Sequence, residues 1–269
     1  MTRGEALAAS GLEAREARLL LAAACGIGEA SLIAHAEIEL TAQAAARFLA
    51  WAKRRRAGEP IAYLLGEREF YGLALSVSPE VLIPRPETEL LVDLALERIA
   101  AQADCAVLDL GTGSGAIALA VKRHRPRARV TAVDASDAAL AVARANAARL
   151  GLAVEFRLGR WFAALEGERY ALILANPPYV AAGDPHLEQG DLRFEPRGAL
   201  VGGADGLDAI RAIAAQAPAH LNPGGWLLVE HGFDQAKAAC ACFERAGFET
   251  VETRRDLSGN PRVTLGRYR

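Results

Sequence analysis

Cysteine, methionine and aromatic residues are scarce in this chain: four Cys, one Met and 6% Phe, Trp and Tyr among 269 residues. Cys25, Cys105, Cys240 and Cys242 show no CxxC spacing and have no histidine at ligand distance in sequence, which argues against a structural metal or a disulfide framework. Cys240 and Cys242 stand two apart in a stretch that reads as helix, where such neighbours do not face each other. Reduced, mostly buried thiols are expected. No apolar run approaches the roughly 18 residues of a membrane-spanning helix, and neither a basic leader nor an apolar signal core opens the chain, so a soluble, cytoplasmic protein is expected. Charge of one sign is also missing. With 31 Lys and Arg against 33 Asp and Glu the formal net charge is -2, and no overall field awaits a polyanion. The one basic run, "KRRR" from Lys53 to Arg56, reads as the solvated end of a helix, where cations complement the dipole.

What the chain does have is apolar residues, 52% of the total, enough for a sizeable core. From Gly4 to about Gly58 it is rich in alanine, leucine, arginine and glutamate, good helix formers punctuated by glycines and Pro60, with Thr41 as a cap. This predicts a small helical domain over residues 1–62. Aromatic and β-branched residues between Tyr63 and Ser78, punctuated by Gly66 and Gly72, predict a β-hairpin within a connector over 63–84. "VLIPRPETELLVDLALERIA" predicts a helix from near Glu87 to about Ala101.

From 85 to 269 the pattern alternates. Strands are predicted at 106–110, 129–133, 153–158, 170–175, 225–230, 248–254 and 262–268, with helices at 115–124, 137–150, 205–218 and 233–246. Such alternation means an α/β domain whose seven-stranded, mostly parallel sheet is covered on both faces; the last two strands, with no helix between them, form an antiparallel edge hairpin. A ligand is expected beyond the carboxyl ends of the strands.

"VLDLGTGSGAIALAVKR" places Gly111, Thr112, Gly113, Ser114 and Gly115 between an apolar strand and an apolar-periodic helix. Glycine suits a backbone that turns tightly and lies against a ligand. Asp134 ends the next strand, where a carboxylate can accept both hydroxyls of a ribose. A nicotinamide or flavin site would use the same geometry, but no separate substrate domain with a hydride-transfer residue follows. Asp109 also stands just before the first glycine. A carboxylate there would repel a pyrophosphate and suits a cationic, amino-bearing nucleoside such as S-adenosylmethionine; the alternative is an acid hydrogen-bonded to its own loop.

Asn176, Pro177, Pro178 and Tyr179 stand directly after the apolar run 170–175. The Asn176 carbonyl and the Pro177 carbonyl can accept from one planar NH2, the prolines hold that geometry at low entropic cost, and Tyr179 can lie against a planar amide or base. The corner therefore selects a planar nitrogen nucleophile, either a carboxamide or an exocyclic base amine. Arg85 and Glu87 in "LIPRPETE" serve either a substrate-facing loop or the anchoring of the linker. Asp191, Arg193 and Glu195 lie in a charged segment, "DPHLEQGDLRFEP", too long for a tight turn and suited to a lid or docking loop. His186 within it reads as structural.

Taken together, "LIPRPETELLVD", "VLDLGTGSGAIALA", "AVDAS", "NPPYV", "DPHLEQGDLRFEPRGAL", "LLVEHG" and "RDLSGNPRVTLGR" closely resemble the bacterial release factor glutamine methyltransferases, within the class I, Rossmann-like S-adenosylmethionine methyltransferases. The similarity covers nearly the whole chain. It implies S-adenosylmethionine as cofactor and, as substrate, the N5 amide nitrogen of the glutamine in the Gly-Gly-Gln motif of peptide chain release factors. It further implies a monomer with no membrane and no direct nucleic-acid substrate. By resemblance, residues Gly111 to Gly115 wrap the methionine part of the cofactor, Asp134 takes its ribose and Trp161 lies near its adenine. Asn176 would touch both cofactor and glutamine, with Pro177, Pro178 and Tyr179 completing the glutamine pocket; Asn176 and Pro177 would be catalytic. Trp161 can also be read as a core residue. "NPPY" alone fits an adenine-N6 or cytosine-N4 nucleic-acid methyltransferase too, which would need a basic channel. Relatives commonly carry an acid where this chain has Arg160, which cannot accept from the adenine amine.

Overall fold

The computed structural model describes residues Met1 to Arg269, and the chain divides into two compact units: Met1–Glu67 with Gln189–Phe194, and Arg68–Glu188 with Glu195–Arg269. In the first unit, α1 (Arg3–Ala9), α2 (Ala14–Cys25), α3 (Glu29–Ala34), α4 (Ala42–Arg56) and α5 (Ile61–Leu65) bury Leu20, Leu21, Leu32, Phe48 and Leu64 against one another. Thr41 caps α4, its hydroxyl accepting from the Ala44 amide at 3.1 Å. The predicted strand start at Tyr63 is corrected. Pro60 opens a helical turn there and Gly66, left-handed at φ +71°, closes it, so proline before and glycine after enclose a helix and not a strand.

The basic run ends α4 as expected, with Lys53, Arg54 and Arg56 exposed and Arg55 half-buried, and its guanidinium groups also make local contacts. Arg54 pairs with Glu59 at 2.7 Å, Arg55 bridges Glu16 at 2.7 Å and Asp191 at 2.9 Å, and Arg56 donates to the Ser10 carbonyl.

The second unit opens on a hairpin, β1 (Glu67–Phe70) and β2 (Leu73–Ser76), whose two-residue turn places both Tyr71 and Gly72 at positive φ. Phe70, Leu73 and Leu75 are buried in the core of this unit. A single 3₁₀ turn, Pro86–Thr88, leads into α6 (Glu89–Arg98). This helix ends three residues before the predicted Ala101, because Arg125 donates to the carbonyls of Leu96 and Ile99 and satisfies its last turn from outside.

There follow β3 (Ala106–Leu110), α7 (Ala116–His124), β4 (Arg129–Asp134), α8 (Asp137–Leu150), β5 (Glu155–Leu158), β6 (Tyr170–Ala175), α9 (Arg197–Leu200), α10 (Asp208–His220), β7 (Leu221–Glu230), α11 (Ala236–Arg245), β8 (Glu249–Arg255) and β9 (Pro261–Arg267). The strand order is β5-β4-β3-β6-β7-β9-β8, parallel except for β9, which runs antiparallel to both its neighbours. Alternate residues feed opposite faces. Val107, Ala132, Leu172 and Leu174 pack with α6 and α7 on one side, and Leu108, Val133, Ile173 and Val229 with α10 and α11 on the other. Strand β7 begins four residues earlier than predicted: "NPGG" joins it through an irregular register opposite Tyr170, with Gly224 at φ +80°.

All four cysteines are free, but Cys242 alone is buried, which corrects the expectation of mostly buried thiols; Cys240, two residues earlier on α11, falls on a half-exposed side of the helix. No helix is long and apolar enough to cross a membrane.

Candidate active site

Sheet register assembles the site. Val133 pairs with Leu110, Leu110 with Ala175, and Ala175 with Val229. The next residue along each strand is therefore Asp134, Gly111, Asn176 or Glu230, and these four form one row at the carboxyl ends of adjacent strands, each step about 4.8 Å. Three of them were singled out from the sequence. Glu230 was not, although "LLVEHG" ends an apolar run on an acid, the same signal that marked Asp134.

The glycine loop is built from within. The amides of Gly111 and Thr112 both donate to Val133 O, that of Gly113 to Asp134 Oδ2 at 2.8 Å, and that of Gly115 to Thr112 O. The loop's own contacts thus take up four of its five amides, those of Gly111, Thr112, Gly113 and Gly115. Thr112 and Ser114 turn their side chains into the interior, so what they offer a ligand is backbone. Gly113, at φ +55°, has no atom within 4 Å of where a Cβ would stand, and a Cβ on Gly111 would lie 3.6 Å from Trp161 Cζ3. The only side chain flanking that open strip is the indole. Gly115 serves packing, since a Cβ there would meet Leu119 at 3.0 Å and Ala143 at 3.3 Å.

Asp109 lies wholly buried under the loop, its Oδ2 accepting from Thr112 Oγ1 at 2.6 Å and from the Ala118 amide at 3.2 Å. Its Oδ1 is buried without a hydrogen bond. Burial pushes its pKa up to about 7, against the pull of those two donors. The alternative reading, an acid hydrogen-bonded to its own loop, describes Oδ2, while Oδ1 is buried with no partner. Asp134 is pinned by the Gly113 amide on Oδ2 and the Ser136 amide on Oδ1, one donor per oxygen, which leaves lone pairs on both.

Trp161 stands at φ +53°, an uncommon conformation for a bulky residue. It packs partly into the core that includes Phe162 and Tyr170 and also borders Gly111. Its Nε1 is buried without a partner. Arg160 is exposed, and Leu158, paired in register with Asp134, is an exposed apolar residue beside it.

At the NPPY corner, Asn176 Nδ2 donates to Thr88 Oγ1 at 3.0 Å, and the Tyr179 hydroxyl donates to Glu230 Oε1 at 3.3 Å. Pro177 is buried and Pro178 half-buried. Glu230 is fully buried; burial raises its pKa to about 7, with the Thr88 hydroxyl, Arg262 and Tyr179 pulling it down and Glu87 pushing it up. Burial, reinforced by Glu230, pushes the Tyr179 phenol well above its ordinary range, so it stays a donor. His231, next in sequence, is neutral: burial lowers its pKa, and its ring bridges Gly232 O at 2.8 Å and Thr264 Oγ1 at 2.9 Å.

Sequence reasoning also missed what holds the corner. Tyr179 O accepts from Gln235 Nε2 at 2.9 Å, and Val180 exchanges backbone bonds with Leu200 and Gly202. A Cβ on Gly202 would stand 2.4 Å from Pro178 O, and one on Gly206 would stand 2.2 Å from Tyr179 O. The cluster of glycines in "VGGADGLD" was the available signal.

The charged segment is tied down throughout. Asp191 pairs with Arg55 and Arg193 donates to Ala57 O at 2.7 Å within the first unit, while the buried Glu195 takes Arg85 at 2.5 Å within the second. His186 sits on Asp184 at 2.7 Å, a local structural contact.

Known proteins resemble this chain in sequence and in fold. The family model described as "Methyltransferase small domain" matches residues 88–190, and "PrmC N-terminal domain" matches residues 4–66. The release factor glutamine methyltransferase of Pseudomonas aeruginosa is 53% identical over 254 residues, covering 94% of this chain and 92% of that protein. That of Burkholderia pseudomallei is 53% identical over 273 residues, covering 99% and 96%. The chain belongs to the release factor glutamine methyltransferase family. As a member it is a methyltransferase, and its sheet domain follows the class I pattern. A methyltransferase structure from Pyrococcus furiosus superposes with a TM-score of 0.57 at 19% identity, covering 83% of this chain and 96% of that one. A Thermus thermophilus 16S rRNA N2 G1207 methyltransferase in complex with AdoMet and guanosine gives 0.57 at 22% identity, covering 76% and 50%. At those identities the likeness is one of fold.

Proposed function

We propose that this chain transfers the methyl group of S-adenosylmethionine to the N5 amide nitrogen of the glutamine in the Gly-Gly-Gln motif of peptide chain release factors. The observation that carries the reading is the Asn176 amide, whose Nδ2 is held by Thr88 so that Oδ1 is left to accept from a planar NH2. The Pro177 carbonyl is the second acceptor, and Pro178 and Tyr179 complete the glutamine pocket.

The residues fit the cofactor. The open strip at Gly111 and Gly113, the remaining lone pairs of Asp134, and the buried, unused Asp109 Oδ1 suit a ribonucleoside with a cationic amino-acid tail. Thr112, Ser114 and Gly115 shape that loop, with Trp161 and the exposed Leu158 offering apolar surface to an adenine in place of an acid at position 160. When bound, S-adenosylmethionine supplies an electrophilic methyl group on a sulfonium.

An amide nitrogen is a poor nucleophile because its lone pair is delocalised, so alignment must supply much of the rate. Asn176 and Pro177 accept from both amide protons and thereby turn the nitrogen lone pair toward the methyl carbon. With the cofactor bound, the methyl group would pass to that nitrogen while the electron pair of the broken C–S bond stayed on sulfur, and one amide proton would then leave to water. No strong base is required, and His231 is spent structurally. The helical unit and the 176–200 segment are proposed to hold the protein partner. A nucleic-acid substrate is disfavoured because the formal net charge is -2 and, in the only basic run, Arg54 and Arg55 are paired with Glu59, Glu16 and Asp191.

The test incubates the purified protein with methyl-labelled S-adenosylmethionine and, separately, a release factor, its Gly-Gly-Gln to Gly-Gly-Ala variant, and unmethylated duplex DNA. Label in the native factor alone, reduced about a hundredfold or more by Asn176→Ala, is expected. Label in DNA and none in protein would overturn the reading.

A further inference from the structure

Two stretches that the proposed chemistry leaves without a task, "LLVEHG" and "RDLSGNPRVTLGR", meet at the outer end of the row of strand ends. Glu230 pairs with Val263 on β9, the His231 amide donates to Arg262 O at 2.9 Å, and Arg262 Nη1 returns to His231 O at 3.4 Å. Because β9 runs antiparallel to β7 and β8, the turn over 256–260 projects from the same edge of the sheet as Asp134, Gly111 and Asn176.

That turn is built around one side chain. Asp256 Oδ1 accepts from the amides of Ser258 and Asn260, each at 2.9 Å, and its Oδ2 takes the Arg262 guanidinium at 3.4 Å. The Asp256 amide donates to Asn260 O and its carbonyl accepts from the Gly259 amide, both at 2.9 Å, with Gly259 at φ +83° making the return. The Asp256 side chain is only 5% exposed, yet Leu257, the residue it holds up, lies entirely in solvent. A loop that turns its polar groups inward and a leucine outward is ordered before any partner arrives, so contact with it costs little conformational entropy.

Single apolar residues on a surface are ordinary; their placement here is not. The sheet unit exposes three large apolar side chains, Leu158, Phe233 and Leu257, and they stand at the end of β5, just after β7 and just after β8, all on the carboxyl edge. Leu158 flanks Asp134 and serves the cofactor. Phe233 follows His231 by two residues and Leu257 follows Asp256 by one, so both flank Arg262, which bonds to His231 and Asp256. Distance decides what they can do. β8 is three strands from β6, about 14 Å, too far for Leu257 to touch a glutamine side chain at Asn176. An interface of ordinary size, about 800 Å² per partner, is a disc of about 16 Å radius, so a folded protein seated over that glutamine covers both residues.

We propose that Phe233 and Leu257 form a preordered apolar docking shelf for the folded release factor, receiving an apolar patch of its polypeptide beside the Gly-Gly-Gln loop. The inference rests on the proposed function and extends the glutamine pocket outward, since the Tyr179 hydroxyl donates to Glu230 and Glu230 adjoins β9.

Phe233→Ser, Leu257→Ser and the double variant are assayed with labelled S-adenosylmethionine over a range of release factor concentrations. Each single change should raise the KM for the factor about fivefold and the pair about tenfold or more, with kcat and the cofactor Kd by calorimetry within about twofold of wild type. Leu257→Met keeps the apolar surface and should keep KM within about twofold. Both side chains lie in solvent, so melting temperatures should stay within about 2 °C of wild type. Sedimentation velocity should show the same species for wild type and the double variant. Folded variants with wild-type KM, or a loss confined to kcat, would overturn the shelf while leaving the proposed function standing. A wild-type dimer that the double variant dissolves at unchanged KM would overturn it too, by making a second copy of the chain the occupant. A wild-type protein that labels no release factor would overturn both.

Discussion

Asp109 carries the clearest single-residue consequence. Its folded pKa, about 7, lies above the roughly 3.9 of an unfolded aspartate. Below about pH 4 both states hold the proton and nothing is lost. As pH rises from about 4 to about 7 the unfolded chain ionises while the folded one must keep its proton, so stability is lost across that window and levels off above it. Asp109→Asn has no proton to lose. Urea denaturation of the cofactor-free protein should therefore show the variant gaining on wild type between pH 4 and 7, with a constant gap above. A gap that does not change with pH would refute this account of Asp109. A cationic ligand beside Oδ1 would favour the ionised acid, so cofactor affinity of the wild type should rise with pH over the same window.

At the scale of elements, two joints hold the site. Asn146 on α8 is fully buried and exchanges bonds with Ser76 of the hairpin, 2.7 Å to its amide and 3.0 Å to its carbonyl, while also donating to Ser114 O at 2.9 Å. One side chain thus ties β2 and α8 to the glycine loop. Asn146→Ala leaves those groups buried without partners and should cost about 2–4 kcal/mol in chemical denaturation. The second joint is Gly206, at φ +76°, whose hydrogen faces Tyr179 O across a gap too small for a methyl group. Gly206→Ala must push the NPPY corner aside. It should lower methylation at least tenfold while cofactor binding, which depends on β3 and β4, stays within about threefold. Loss of cofactor affinity in parallel would show that the corner and the glycine loop move together.

For the whole molecule, the division of labour between the two units is the open claim. Arg55 joins Glu16 on α2 and Asp191 of the Gln189–Phe194 segment, so one guanidinium holds that segment on the helical bundle. If bundle and segment recognise the partner, Arg55→Ala should raise the KM for the release factor about tenfold with kcat and cofactor Kd little changed. A fall in kcat alone would move Arg55 from recognition to support of the catalytic unit.

By itself the sequence determined the alternation of strands and helices, the glycine loop, Asp134 and the NPPY corner, because these are local: hydrophobic period, turn chemistry and strand ends are written in adjacent residues. Its misplacements, at Tyr63, Ala101 and the start of β7, fell where proline, a distant arginine or strand pairing overrode the local pattern. Only the tertiary structure decided that Glu230 joins the row of Asp134, Gly111 and Asn176, that Thr88 stands behind the asparagine 88 positions away, and that Arg55 of the basic run pairs with Glu16 and Asp191. Register between strands and the pairing of buried donors with acceptors depend on residues far apart in the chain, and no local period carries that information.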